Sequence, residues 1–169
     1  MKDGSDYSCL MVYFNDSIKN KLKLFIKSKG IKNLDQEGQS ICDHVTIMYG
    51  IDENKPIKTK NALKEYDKLN ISLSFEDFGL FKKDDYDVLI IKIKSNDLNK
   101  LHDIIKNNVK CSGDEYPDYK PHCTLAYVEK NKISEDDLKK WKPFSDVIIT
   151  NKLVFSDKEK NIQIYFLVI

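Results

Sequence analysis

The chain has 169 residues, with 28 Lys or Arg against 27 Asp or Glu, a net charge of +1 and four cysteines. So even a balance lacks the positive field that holding a long nucleic acid requires; no apolar stretch approaches the roughly 20 residues of a membrane span, and the opening Met-Lys-Asp-Gly-Ser-Asp is not a signal peptide. Cys9, Cys42, Cys111 and Cys123 form no CxxC pair, which disfavours zinc and a secreted disulfide framework and fits a reducing cytoplasm.

The first predicted element is a strand over the apolar run 10–14, where Met11, Tyr13 and Asn15 share one face and Val12 and Phe14 the other. A helix follows over 19–29, with Leu22, Phe25 and Ile26 on one face. The loop 33–43 holds Gln36, Glu37 and Gln39, either free to read base edges or simply solvated. It leads into His44-Val45-Thr46-Ile47-Met48-Tyr49-Gly50. Side chains alternate along a strand, so His44 and Thr46 point to one face and Val45 to the other. A polar helix over 56–68 and strands over 71–78 and 88–94 complete the first half.

Strand 88–94 also opens the second half. Next come a helix over 97–108, a polar loop over 111–121, and His122-Cys123-Thr124-Leu125-Ala126-Tyr127, in which Cys123 is the back-face residue. A polar helix over 134–141 and strands over 147–155 and 162–169 follow; the near-continuous apolar pattern of the last places it inside a sheet. Shifted so that His44 falls on His122, the run 10–14 lands on 88–92 and the helix 19–29 on 97–107. A repeat that extends beyond its motif implies two related units. They share one strand, which predicts a single α+β domain of two interlocked lobes, about 1–87 and about 88–169, of a length able to bury one core.

Two of the three histidines thus carry a threonine two residues on. With an ordinary pKa of about 6.5, one imidazole can be neutral while the other is protonated. One then deprotonates a nucleophile, either water or a substrate hydroxyl, and the other protonates the leaving oxygen. Thr46 and Thr124 would hydrogen-bond the non-bridging phosphate oxygens. No Gly-rich phosphate loop or metal-spaced carboxylate cluster is present, so the site is expected to need no metal or other cofactor. The third histidine, His102, lies on a helix with no threonine behind it and reads as a surface or helix-flank residue. Asp43 precedes one triplet and Pro121 the other, so the two halves are not equivalent, and Asp43 would favour His44 as the protonated partner.

Candidate substrate contacts are Tyr13, Tyr116, Tyr119, Lys120 and Trp141. Tyr13 either lines the cleft or is a half-buried strand tyrosine. The loop before His122 would reach over the site, with Tyr116 and Tyr119 stacking on bases and Lys120 meeting phosphate, or it is a solvated connection. Trp141 closes one end of the cleft over a base or belongs to the core.

From about residue 10 onward, the order and spacing of these elements resemble the 2H phosphoesterase superfamily, named for two such histidine motifs. The segment Tyr116-Pro117-Asp118-Tyr119-Lys120-Pro121-His122-Cys123-Thr124-Leu125-Ala126-Tyr127 looks most like the phage anti-CBASS nucleases, and His44-Val45-Thr46-Ile47-Met48-Tyr49-Gly50 is similar to the same group. The resemblance implies a bilobal, pseudo-two-fold duplicated fold whose antiparallel sheets line a central cleft, with helices outside. It also implies metal-free cleavage of 3′,5′ linkages in cyclic di- and trinucleotides, in the host bacterial cytoplasm and with no obligatory protein partner. Two other functions remain open: a 2H enzyme for 2′,3′-cyclic phosphates, 2′,5′-oligonucleotides or RNA ends, and a nucleotide sponge. A sponge would have no need of both histidines and both threonines.

Overall fold

Hydrophobic alternation builds eight strands and four helices among the described residues of the computed structural model, which are 6–34 and 40–168. In chain order they are β1 (Ser8–Tyr13), α1 (Asp16–Ser28), β2 (His44–Ile51), α2 (Ile57–Leu63), β3 (Ile71–Lys82), β4 (Tyr86–Lys94), α3 (Asn96–Asn108), β5 (His122–Glu129), α4 (Glu135–Lys140), β6 (Val147–Thr150), β7 (Lys152–Ser156) and β8 (Ile162–Phe166). Gln36, Glu37 and Gln39, with the first five residues, lie outside the described residues.

The strands form two four-stranded sheets of order β2-β1-β7-β8 and β5-β4-β3-β6, antiparallel throughout. Strand for strand the two orders correspond, as a duplicated, pseudo-two-fold α+β fold requires. The lobes are not contiguous halves, however. β3, assigned to the first lobe by a boundary near residue 87, hydrogen-bonds in the sheet of the second triplet, and β7 and β8 complete the sheet of the first. The predicted strand 147–155 is two strands. The chain leaves one sheet after Thr150 and enters the other at Lys152, with the Asn151 carbonyl accepting from Leu167 N–H at 2.8 Å.

Leu10, Val12, Val45 and Ile47 bury one face of the first sheet, and Leu89, Ile91, Cys123 and Leu125 the corresponding face of the second. α3 packs on β2 and β3, α1 against β5 and α4 against β3. Each long helix starts directly after a sheet strand because a polar side chain stops the strand and caps the helix: Asn15 Oδ1 accepts from Ile18 N–H and Ser95 Oγ from Leu98 N–H, both at 3.0 Å. No described helix is long and apolar enough to cross a membrane.

Two expectations are corrected. β8 does join a sheet, but as an edge strand that leaves Ile162, Ile164 and Phe166 half or more exposed, because only β7 pairs with it. His102 is buried at 6% exposure: its ring lies flat on Tyr119, and Nδ1 donates to the Ile47 carbonyl at 2.8 Å.

Gly50, last but one in β2, has φ +83°, and a Cβ there would sit 2.3 Å from the backbone carbon of Gly113. A backbone obstacle cannot rotate away. Gly50→Ala is expected to destabilise the fold by roughly 2–5 kcal/mol, combining left-handed strain with overpacking. A urea midpoint equal to that of the wild type would show that the 113–114 turn yields instead.

Candidate active site

β2 and β5 each lie at one edge of their sheet, and these two edges meet. Each opens on its histidine, so His44 and His122 stand at the start of neighbouring strands. Val45 and Cys123 are buried behind them, while both histidines and both threonines are part-exposed on the other face. Directly after each threonine comes a bulge, at Ile47 in β2 and Leu125 in β5. Bulges re-aim side chains, and here they return Tyr49 and Tyr127 to the faces of Thr46 and Thr124.

The two histidines are held alike but surrounded differently. His44 Nδ1 is 2.6 Å from Asp43 Oδ1, and the pair becomes a salt bridge when the ring is protonated. His122 Nδ1 lies 2.8 Å from the Lys120 carbonyl. A carbonyl can only accept, so Nδ1 carries the proton and Nε2 of the neutral ring offers a lone pair. Burial, then the nearby charge of His44, hold His122 below the ordinary 6.5 against the favourable Lys120 hydrogen bond.

The threonines also have partners. Burial pushes the Cys9 thiol, a neighbour of Thr46, up to about 12, so it stays a neutral S–H. Burial likewise keeps the Tyr127 phenol, a neighbour of Thr124, protonated. Each threonine hydroxyl can both accept and donate. The arrangement offers a lone pair, a protonatable ring and two hydroxyls on two strands in contact, a set suited to proton transfer at a phosphodiester.

Of the other predicted contacts, the structure brings Tyr13 to the site. It faces His44 across the β1–β2 register, ring edge to ring with centroids 5.7 Å apart. Tyr116 is 70% exposed in its loop. Tyr119 is not a free stacking platform, since one ring face is covered by His102 at 4.1 Å and its hydroxyl donates to the Thr46 carbonyl at 2.7 Å. Lys120 contributes its carbonyl to His122, while its side chain is exposed. Trp141 is not in the cleft. Its ring packs edge-on against Phe25 and Phe78, and Phe78 lies on the face of β3 opposite Gly79 and Phe81. There it walls a separate cavity of about 530 Å³ with Lys29, Ile31, Val128 and Ile133.

Sequence reasoning missed Lys92 and Phe81. Lys92 is the cross-strand partner of His122 and exposed on its face, with its Cε 3.3 Å from where a Gly79 Cβ would lie. The repeat alignment sets Tyr13 on Ile91, whereas the registers against His44 and His122 equate Tyr13 with Lys92. That slip of one residue moved Lys92 to the back face. Phe81 packs edge-on against His122 with centroids 4.9 Å apart. It lies beyond the predicted end of its strand, and only the β3–β4 register brings it there. Cys9 and Tyr127 were also missed, although a tyrosine at the same offset from both triplets, Tyr49 and Tyr127, was a usable signal.

Three solved structures share this architecture over nearly their whole lengths. Usb1 of Kluyveromyces marxianus aligns with TM-score 0.62 at 9% identity, covering 96% of this chain and 99% of its own. A phosphoesterase crystal structure aligns at 0.63 and 11%, covering 96% of each chain. Escherichia coli LigT complexed with phosphate aligns at 0.59 and 9%, covering 98% and 96%. At such identities the likeness defines the fold, that of the 2H phosphoesterases. No curated protein matches by sequence. The profile of anti-CBASS protein Acb1 matches residues 10–163, and the chain belongs to that family. It is accordingly a 2H-type phosphodiesterase.

A histidine whose charged form is disfavoured by the fold takes up its proton later than in the unfolded chain, so its contribution to stability is lost as pH falls below about 6.5. In imidazole NMR the His122 midpoint is therefore expected below 6.5, and it should rise in His44→Gln, where the neighbouring charge is gone. A midpoint that ignores His44→Gln would place the two rings too far apart to act together.

Proposed function

We propose that the protein opens 3′,5′ linkages of small cyclic di- and trinucleotide signals without a metal, using His122 as base and His44 as acid. Membership of the anti-CBASS family together with the two triplets side by side at the β2–β5 junction carries this reading. The electrostatics support the division of roles. Burial favours neutral His122, whose Nε2 lone pair can take the proton of the substrate 2′-hydroxyl. The Asp43 carboxylate at 2.6 Å suits a protonated His44, whose Nε2–H can go to the departing 5′-oxygen. As O2′ bonds to phosphorus and the bond to O5′ breaks, the products are a 2′,3′-cyclic phosphate end and a 5′-hydroxyl. Return of the ring protons, or hydrolysis of the cyclic phosphate with the roles reversed, resets the site. Thr46 and Thr124 hydroxyls hold the non-bridging oxygens as charge grows on them. Tyr13 on the His44 side and Lys92 on the His122 side suit a base and a phosphate.

In this reading the protein acts on signal nucleotides in the cytoplasm of a phage-infected host and needs no protein partner. The exposed Tyr116 is free to stack on a base.

The test is chromatographic. In EDTA the protein is incubated with 3′,3′-cyclic GMP-AMP, cyclic di-AMP, cyclic tri-AMP, adenosine 2′,3′-cyclic phosphate and 2′,5′-oligoadenylate. Cleavage of the cyclic oligonucleotides is expected, with a drop of roughly 10² to 10⁴ in His44→Ala and in His122→Ala. Turnover of only the last two substrates would identify a different 2H activity, and retained binding without cleavage would identify a sponge.

A further inference from the structure

An edge strand with a bulge releases carbonyls that no neighbouring strand can satisfy. β2 and β5 both do so immediately after their threonines, and each is capped by groups from the other half of the site. The Thr46 carbonyl accepts from the Tyr119 hydroxyl at 2.7 Å, and the next carbonyl, Ile47, from His102 Nδ1 at 2.8 Å. The Thr124 carbonyl accepts from Cys42 N–H at 2.7 Å, and the next, Leu125, from Cys42 Sγ at 3.4 Å. Cys42 lies in the loop entering the His44 strand, and Tyr119 in the loop entering the His122 strand. Each loop therefore closes the bulge of the opposite triplet.

We propose that this reciprocal closure sets the His44–His122 separation, with Tyr119, braced by His102, as the positioning residue on one side and Cys42 on the other. Tyr119 and Lys120 are consecutive, and between them they hold both triplets: the Tyr119 hydroxyl grips Thr46, and the Lys120 carbonyl grips His122. A shift of the Tyr119 backbone moves His122 relative to Thr46. The brace is stiff because the Tyr119 and His102 rings are parallel within 6° at 4.1 Å, with His102 buried. On the other side Cys42 holds φ +60°, a left-handed conformation costly for a residue with a Cβ, and such strain persists only where surrounding contacts impose it. Burial keeps the Tyr119 phenol protonated and so a donor.

The inference rests on the proposed chemistry for its kinetic readout and is independent of it for its spectroscopic one. Tyr119→Phe keeps the ring on His102 and deletes only the hydroxyl. With 3′,3′-cyclic GMP-AMP, kcat should fall by about 10², as for a misplacement near 1 Å, while KM stays unchanged because Tyr119 does not touch substrate. His102→Ala should do the same. In imidazole NMR the His122 midpoint should move toward 6.5 in Tyr119→Phe as His122 moves away from His44. If the wild type cleaves none of the nucleotides, the proposed function fails and the NMR shift alone decides the positioning role. A Tyr119→Phe protein with wild-type kcat, one whose KM rises at constant kcat, or one with an unmoved His122 midpoint would overturn it.

Discussion

β2 and β5 each end a sheet, and each presents buried carbonyls on the side where no strand lies beside it. A buried carbonyl left unpaired costs roughly 1–3 kcal/mol, more than a typical hydrogen bond returns on folding. The two edges meet under that pressure, and the groups that satisfy them come from the loops that enter the histidine strands and from His102 on α3. The cleft is thus not a gap between two independently stable lobes. Its walls are defined by the same hydrogen bonds that make the junction tolerable, and the part-exposed side chains beside that junction are the ones available for chemistry.

Within this near-symmetric frame the two histidines are made unlike by their neighbours. His44 has a carboxylate on Nδ1 and a tyrosine ring beside it. His122 has a carbonyl on Nδ1, a phenylalanine edge against its ring and a lysine across the register. Duplication supplies two copies of one motif, and acid–base chemistry needs two different protonation states at one pH. Asp43 opposite Pro121 in the sequence repeat is where the copies diverge most directly.

The triplets, the back-facing Val45 and Cys123 and the duplicated α+β order could be read in the sequence because alternation and repetition are local signals, while the antiparallel sheets followed from the resemblance to the 2H phosphoesterases. What could not be read depends on register between distant segments. Lys92 was lost to one residue of slip between the repeats, and Phe81 to a strand that runs on past its most apolar part. The crossing at Asn151 is invisible to periodicity, since apolar residues continue on both sides of it. His102 was misread because its flat partner, Tyr119, is 17 positions away in a loop, and the carbonyl it satisfies belongs to another strand. β8 has the composition of an interior strand, yet its place in the sheet order leaves it at the rim.

The exchange of strands between the sheets has a further consequence for biosynthesis. β1 is flanked by β2 and by β7, so the sheet carrying the first triplet combines segments from opposite ends of the fold. Contacts of such large sequence separation form late and slowly. A ribosome that has released residues 1–140 has delivered both triplets but not the strand that completes the first sheet. The first sheet therefore closes only once β7 is available to pair with β1, after both triplets have been made.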